Sequence, residues 1–262
     1  MERLWWVIQR VRSGLHARSA TLLLSLNERL YLIMGGWVLL AGLACALRIG
    51  FAPFHSGHAS LSLFAPYLLL VLAPVASTLL AMHWFADGDL IPRTAPRLPW
   101  TRTRAVTLAE ARRHPLFGTS GIMVSLLVGT LLNVPVRAAE YLASNPPIPA
   151  GVPHWLMTLH VLMSFDVILF SSLYMVAFIA GLRRTPWFPT ILMGIWAADL
   201  SMQLIVATAL GRTADLPPAI SRALRDLLDG NVKKTLISAA VWLPYLILST
   251  RVNITFRHRL PA

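Results

Sequence analysis

The sequence predicts an all-α fold, a polytopic bundle of six transmembrane helices with amphipathic helices lying along the membrane surface. Three observations predict it. Of the 262 residues, 56% are hydrophobic and 13% charged, and a mean hydropathy of +0.63 is too apolar for a chain whose surface must face water. Six apolar stretches recur along the chain, and a helix needs about 20 such residues to cross a bilayer core. The basic residues, finally, are concentrated in alternate gaps between those stretches.

Residues 1–20 form the first expected element. Leu4, Val7, Ile8, Val11 and Leu15 share one helical face opposite Arg3, Gln9, Arg10 and Ser13, with Trp5 and Trp6 beside them, which reads as a cytoplasmic amphipathic helix at the lipid interface. Arginines spread through this segment, with no short apolar core and small-residue cleavage site, are unlike a cleaved signal peptide. Residues 21–86 form a two-span front part, with spans at Leu30 to Leu47 and Ala59 to His83. Cys45 is the single cysteine, so no disulfide or thiolate metal site is available and its expected role is a small buried hydrophobe. His55 and His58 have a metal-compatible spacing, but Gly57 and the loop setting favour an ordinary polar loop.

Residues 87–117 are a Pro/Arg-rich cytoplasmic linker containing Pro92, Pro96 and Pro99, then a short helix opened by a capping box, Thr107 with Glu110. Residues 118–262 form a four-span part, with spans at Gly118 to Val136, Trp155 to Leu182, Phe188 to Leu210 and Leu236 to Ser249. Before the last span, Pro217 and Pro218 open a segment whose Ile220, Leu224, Leu227 and Leu228 oppose Arg222, Arg225, Asp226 and Asp229. This predicts a second surface helix, stopped at Gly230.

With the amino terminus inside, the inner segments hold Arg3, Arg10, Arg12, Arg18, Arg29, Arg93, Arg97, Arg102, Arg104, Arg112, Arg113, Arg183, Arg184, Arg251, Arg257 and Arg259, which is 16 of the 23 basic residues. The excess predicts that both termini are cytoplasmic, in the manner of a bacterial inner-membrane protein, and that lipid headgroups rather than nucleic acid account for the net charge of +12.

The carboxyl-terminal run Ala240-Val-Trp-Leu-Pro-Tyr245, followed by Ser249-Thr-Arg-Val-Asn-Ile-Thr-Phe256, sets Pro244 inside the last span. There it removes a backbone donor and should bend the helix, with Trp242 and Tyr245 packing around the bend and Arg251 and Arg257 ending the span at the inner surface. This run resembles the bacterial four-span membrane family known as domain of unknown function 2569. Arg183-Arg-Thr-Pro-Trp-Phe-Pro189 is similar to a basic, aromatic-proline turn of that family, and Gly121, Gly129, Pro135 and Arg137 resemble its opening span. Ile122 stands where the family has a Gly-Trp pair, which this chain carries instead as Gly36-Trp37. The resemblance spans about residues 118–257 and implies a fold and a membrane setting but no reaction.

Asp166 and Asp199 are the ionisable residues expected at depth, each ~16 Å from the membrane face at which its span begins. Acids inside apolar helices are costly and mark polar sites. With no basic residue expected at that depth, the pair should repel and share a proton, while Gln203, one turn after Asp199, should hydrogen-bond that acid. Structural polar packing is then sufficient to account for the pair, ahead of a proton or cation pathway or a partner contact. Arg137 and Glu140 should form a local pair at the outer interface, and His160, off the face of Asp166, should be a hydrogen-bonded packing residue. Asn253-Ile-Thr255 is a glycosylation sequence only on an outside segment, and this topology puts it inside.

No nucleophile elbow, phosphate loop, dinucleotide fingerprint or metalloprotease helix occurs, so no cofactor is expected. The first functional expectation is a non-catalytic accessory component of a membrane complex or homo-oligomer. The second is a small transporter or proton-linked permease using Asp166 and Asp199. The two differ structurally, because a transporter should present one of these acids to a polar cavity. An enzyme acting on a lipid-linked substrate would lack identifiable chemistry.

Overall fold

The computed structural model describes residues 21–51, 61–91, 103–148, 152–213 and 217–261. The amino-terminal surface helix, the histidines His55 and His58 and the three linker prolines lie outside these residues. The main helices are α1 (Leu30–Gly50), α2 (Leu61–Trp84), α3 (Leu108–Arg113), α4 (Ile122–Ser144), α5 (His154–Leu182), α6 (Phe188–Gly211), α7 (Pro218–Leu248) and α8 (Thr250–Arg257). A two-stranded antiparallel ribbon pairs β1 (Thr103–Ala105) with β2 (Arg259–Pro261).

Among the described residues, five helices are long and apolar enough to cross a membrane: α1, α2, α4, α5 and α6. A sixth span passes only as α7 joined to α8, a pair bent by 68°. The chain is therefore a multi-pass membrane protein built as an all-α bundle. Successive helices run in opposite directions, so Ser144, His154, Gly211 and Pro218 gather at one end and Leu182, Phe188 and Leu248 at the other. These are called the Ser144 end and the Leu182 end below.

α5 is the axis of the molecule. Both α2 and α4 pack along it and α6 follows beside it, while α7 lies on α6. The core around Phe170, Phe178, Phe188 and Leu127 is fully buried. Gly181 lies where α5 meets α4 and α6; a β-carbon there would stand 2.3 Å from Leu127 Cδ2 and 2.8 Å from Phe188 Cε2. The front two helices pack on the back four: Tyr67 of α2 is buried beside Tyr141 of α4 and donates to the Asn145 carbonyl at 3.4 Å. Cys45 is buried in the same cluster, as expected of a small hydrophobe.

Two expectations about the last span are corrected. α7 does not stop at Gly230 but runs for 31 residues, so the proposed surface helix is the first half of one continuous helix. A helical glycine costs only about 1 kcal/mol, and a continuous helix keeps every backbone group bonded where water is scarce. At ~47 Å the helix is longer than the bilayer core, which accommodates its charged first half. Pro244 lies inside the helix, as expected, and the break falls at Ser249, whose backbone is extended (φ −65°, ψ 126°). Trp242 and Tyr245 do pack together, edge to face with ring centroids 6.0 Å apart.

Arg251, expected to end the span at the surface, is instead buried at 9% exposure. It donates to the Ser120 hydroxyl at 2.7 Å and to the Gly118 carbonyl at 3.3 Å, while Thr255 Oγ1 accepts from the Gly118 amide at 3.0 Å. Gly118 has φ +101°, a conformation that favours glycine. The signature after the last span is thus a latch holding the entry to α4. The linker joins the same structure: β1 pairs with β2, and Thr107 Oγ1 caps α3 by accepting from the Glu110 amide, as the capping box predicts. Glu110 uses its carboxylate for Arg104 at 2.8 Å rather than for the reciprocal bond.

At this end Asp89 also receives Arg184 at 3.0 Å and Arg112 at 3.4 Å. Gly88 makes a close backbone approach, since a β-carbon there would lie 2.2 Å from the Arg183 carbonyl oxygen. Phe188 stacks on Phe256 with centroids 4.9 Å apart, so the aromatic-proline turn, the linker and α8 form one sealed corner.

Candidate functional site

Asp166 of α5, Asp199 of α6 and Gln203 of α6 come together, joined by a residue that the sequence reading placed elsewhere. α4 does not end at Val136 but continues to Ser144, so Arg137 lies within it. Measured along the helices from the Leu182 end, Arg137 stands about 22 Å up α4, Asp166 about 24 Å up α5, Asp199 about 16 Å up α6 and Thr235 about 20 Å up α7. Four helices therefore contribute to one level.

Arg137 binds both acids. Its Nη1 donates to Asp166 Oδ2 at 3.0 Å, its Nη2 to Asp199 Oδ2, and its Nε to Asn133 Oδ1, one turn earlier on α4, at 3.0 Å. The guanidinium lies 4.9 Å from the centroid of the Phe170 ring and 5.8 Å from that of Tyr174. Planar, forked donors and weak hydration make arginine suited to such a partly desolvated position. The expectation that no basic residue reaches the acids is therefore overturned. So is the local Arg137–Glu140 pair: Glu140 is bound by Lys234 of α7 at 2.5 Å.

The two acids are held differently. Asp199, with 1% of its surface exposed, also accepts from Thr235 Oγ1 at 3.1 Å and, as expected from their spacing, from Gln203 Nε2 at 3.3 Å. Gln203 in turn accepts from Asn231 of α7 at 3.5 Å. Asp199 is thus met by three donors. Asp166 has Arg137 alone on Oδ2, and its Oδ1 is buried with no hydrogen-bond partner among the described residues. Two carboxylates against one guanidinium leave one negative charge uncompensated, which is costly in an apolar bundle unless a proton or a cation joins it.

Beside the cluster is a cavity of about 560 Å³ between α4 and α7, floored by α5 and α6. Asp166, Asp199, Arg137 and Tyr174 line its depth, whereas Ser144, Asp226 and the exposed Glu140–Lys234 pair stand at the Ser144 end. Met163, Val167 and Leu227 supply apolar wall. Among the described residues no three His, Cys, Asp or Glu side chains are grouped to hold a metal ion.

The remaining candidates lie apart from this site. Trp242, Pro244, Tyr245 and Arg251 belong to the far half of α7 and the latch. His160 is buried as expected, but its Nδ1 has no hydrogen-bond partner among the described residues. Asn253 lies in α8 and accepts from Arg257 at 2.7 Å. Residues missed from sequence are Asn133, Arg137 and Thr235. A signal for the first two was present: Val134, Ala138 and Tyr141 are all buried and continue a helical stripe past Val136.

No family model matches the chain, and neither a curated protein nor a solved structure shows significant similarity to it.

Proposed function

We propose that the chain is a small proton-linked permease, without catalytic activity of its own, that admits a small polar solute from the Ser144 end into a site floored by Asp166, Arg137 and Asp199. The observation that carries this reading is that both acids line a cavity of about 560 Å³ while sharing a single arginine. A purely structural cluster has no need of such a cavity, whose volume suits a small-molecule site. The uncompensated carboxylate gives the site a place for a proton that can be exchanged, at Asp166, when solute enters or leaves. The charge sorting makes the Ser144 end the outer face and both termini cytoplasmic, in a bacterial inner membrane. The resemblance of residues 118–257 to domain of unknown function 2569 agrees with that setting and supplies no reaction.

The test is reconstitution of the full chain in liposomes that enclose a pH-sensitive dye, followed by addition of small solutes one at a time. Wild type should move protons in response to at least one solute, and Asp166→Asn should abolish the response. A wild-type signal no different from empty liposomes, or an undiminished signal in the variant, overturns the reading.

A second reading, an accessory component of a membrane complex, rests on α1, of whose apolar window only 17% is buried. Leu32, Leu39, Leu40, Leu43 and Leu47 are exposed along this helix. Purification in mild detergent separates the two, since an accessory component should carry a stoichiometric partner and a permease should not.

A further inference from the structure

We infer that the solute taken by this cavity is a small organic cation bearing an ammonium group, with Asp166 as the carboxylate that receives it. The inference rests on the permease reading above and specifies its substrate class.

The first ground is charge. The cavity is lined by four carboxylates, Glu140, Asp166, Asp199 and Asp226, against two cations, Arg137 and Lys234. This local excess of negative charge occurs in a chain of formal net charge +12. The second ground is which groups remain available. Arg137 directs three of its five N–H donors at Asp166, Asp199 and Asn133, and Lys234 is paired with Glu140, so each cation already faces at least one acid and the lining keeps a surplus of carboxylate. Asp199 already has three donors. Asp166 is different: it lines the cavity, is buried and has an oxygen without a donor among the described residues. An ammonium N–H there would complete both the hydrogen bonding of Asp166 and the charge balance of the cluster.

The third ground is the shape and composition of the space. A volume of about 560 Å³ far exceeds what a bare ion requires and falls in the range of organic ligand sites. Met163, Val167 and Leu227 give the hydrocarbon part of such a molecule an apolar wall. Asp226, exposed at the mouth on α7, adds an attraction that raises the local concentration of cations before entry.

The experiment uses three probes of nearly one shape and different charge: benzylammonium, benzyl alcohol and benzoate. Each is titrated into the detergent-purified full chain, and binding is read from the concentration dependence of thermal stabilisation. Benzylammonium should bind at least tenfold more tightly than benzyl alcohol, and benzoate should not stabilise the protein. Asp166→Asn should weaken benzylammonium at least tenfold, and Asp226→Asn, on an exposed position where folding is not at stake, should weaken it two- to threefold. Benzoate or benzyl alcohol binding as tightly as benzylammonium overturns the substrate class while leaving the permease reading intact. Absence of binding by all three probes, or wild-type affinity in both variants, also overturns it, and the permease reading is then decided by the liposome response alone.

Discussion

The two ends of the four-helix part solve opposite problems with similar residues. At the Leu182 end, arginines close the structure: Arg251 is buried on the entry to α4, Arg184 and Arg112 converge on Asp89, and a short ribbon joins linker to carboxyl-terminal segment. In the half that opens toward the Ser144 end, Arg137 lies at depth, matched to more carboxylate than it can neutralise, and a cavity stands beside it. The difference teaches that an arginine in a membrane bundle does not have one meaning. Where its hydrogen bonds end on backbone carbonyls and hydroxyls it seals the fold, and where they end on surplus acid it leaves a site that is electrically incomplete.

The comparison breaks most readily at Arg137. Arg137→Met should strand two buried carboxylates and reduce stability by about 3–5 kcal/mol, read as a large fall in the thermal midpoint of the detergent-solubilised protein. If the midpoint hardly moves, the cluster is solvated and the contrast between the ends is lost. The sealed end should be less sensitive. Arg251→Ala leaves the Ser120 hydroxyl and the Gly118 carbonyl short of a donor, with an expected loss of about 1–3 kcal/mol and faster protease cleavage in the linker between α2 and α4. Unchanged cleavage would mean that the latch does not hold the linker. Lys234→Ala sharpens the comparison from the other side. Lys234 and Glu140 are 63% and 49% exposed, so their pair should contribute at most about 1 kcal/mol. The variant should unfold almost as wild type does, and a loss near that of Arg137→Met would move the pair from the mouth into the structural cluster.

Much of this architecture is legible in the amino-acid order because membrane spanning imposes a strong, local pattern. Spans α1, α2, α5 and α6 begin and end close to where their apolar runs do, and the Asp199–Gln203 contact follows from helical spacing alone. The cap at Thr107 is likewise a short-range motif. What escapes is the polar continuation of a span. Hydropathy falls after Val136 and before Leu236, yet α4 and α7 go on as helices through those polar stretches. Arg137, Glu140, Asn231, Lys234 and Thr235 all lie on such continuations and line the cavity or bond to its acids, so apolarity locates one side of the site, Asp166 and Asp199, and misses the other. Which acid Arg137 reaches is a further step, because it depends on the rotation of three helices about their axes rather than on any spacing within one. The latch is hidden for the same reason: Arg251 meets Ser120 across the whole length of the four-helix part, and its exposure cannot be judged from its charge.

The bond between the Gly118 amide and Thr255 joins positions 137 residues apart in the chain. During synthesis α4, α5, α6 and α7 are all made before Thr255 exists, and domains made by a ribosome begin to fold in chain order. These helices can therefore enter the bilayer and find one another with the Leu182 end still unfastened, and the latch can close only after all four have been made. A lesion in α8 or β2 would then be expected to spare insertion and helix content while leaving a chain that reaches the membrane and never finishes maturing, a failure visible in its lifetime rather than in its topology.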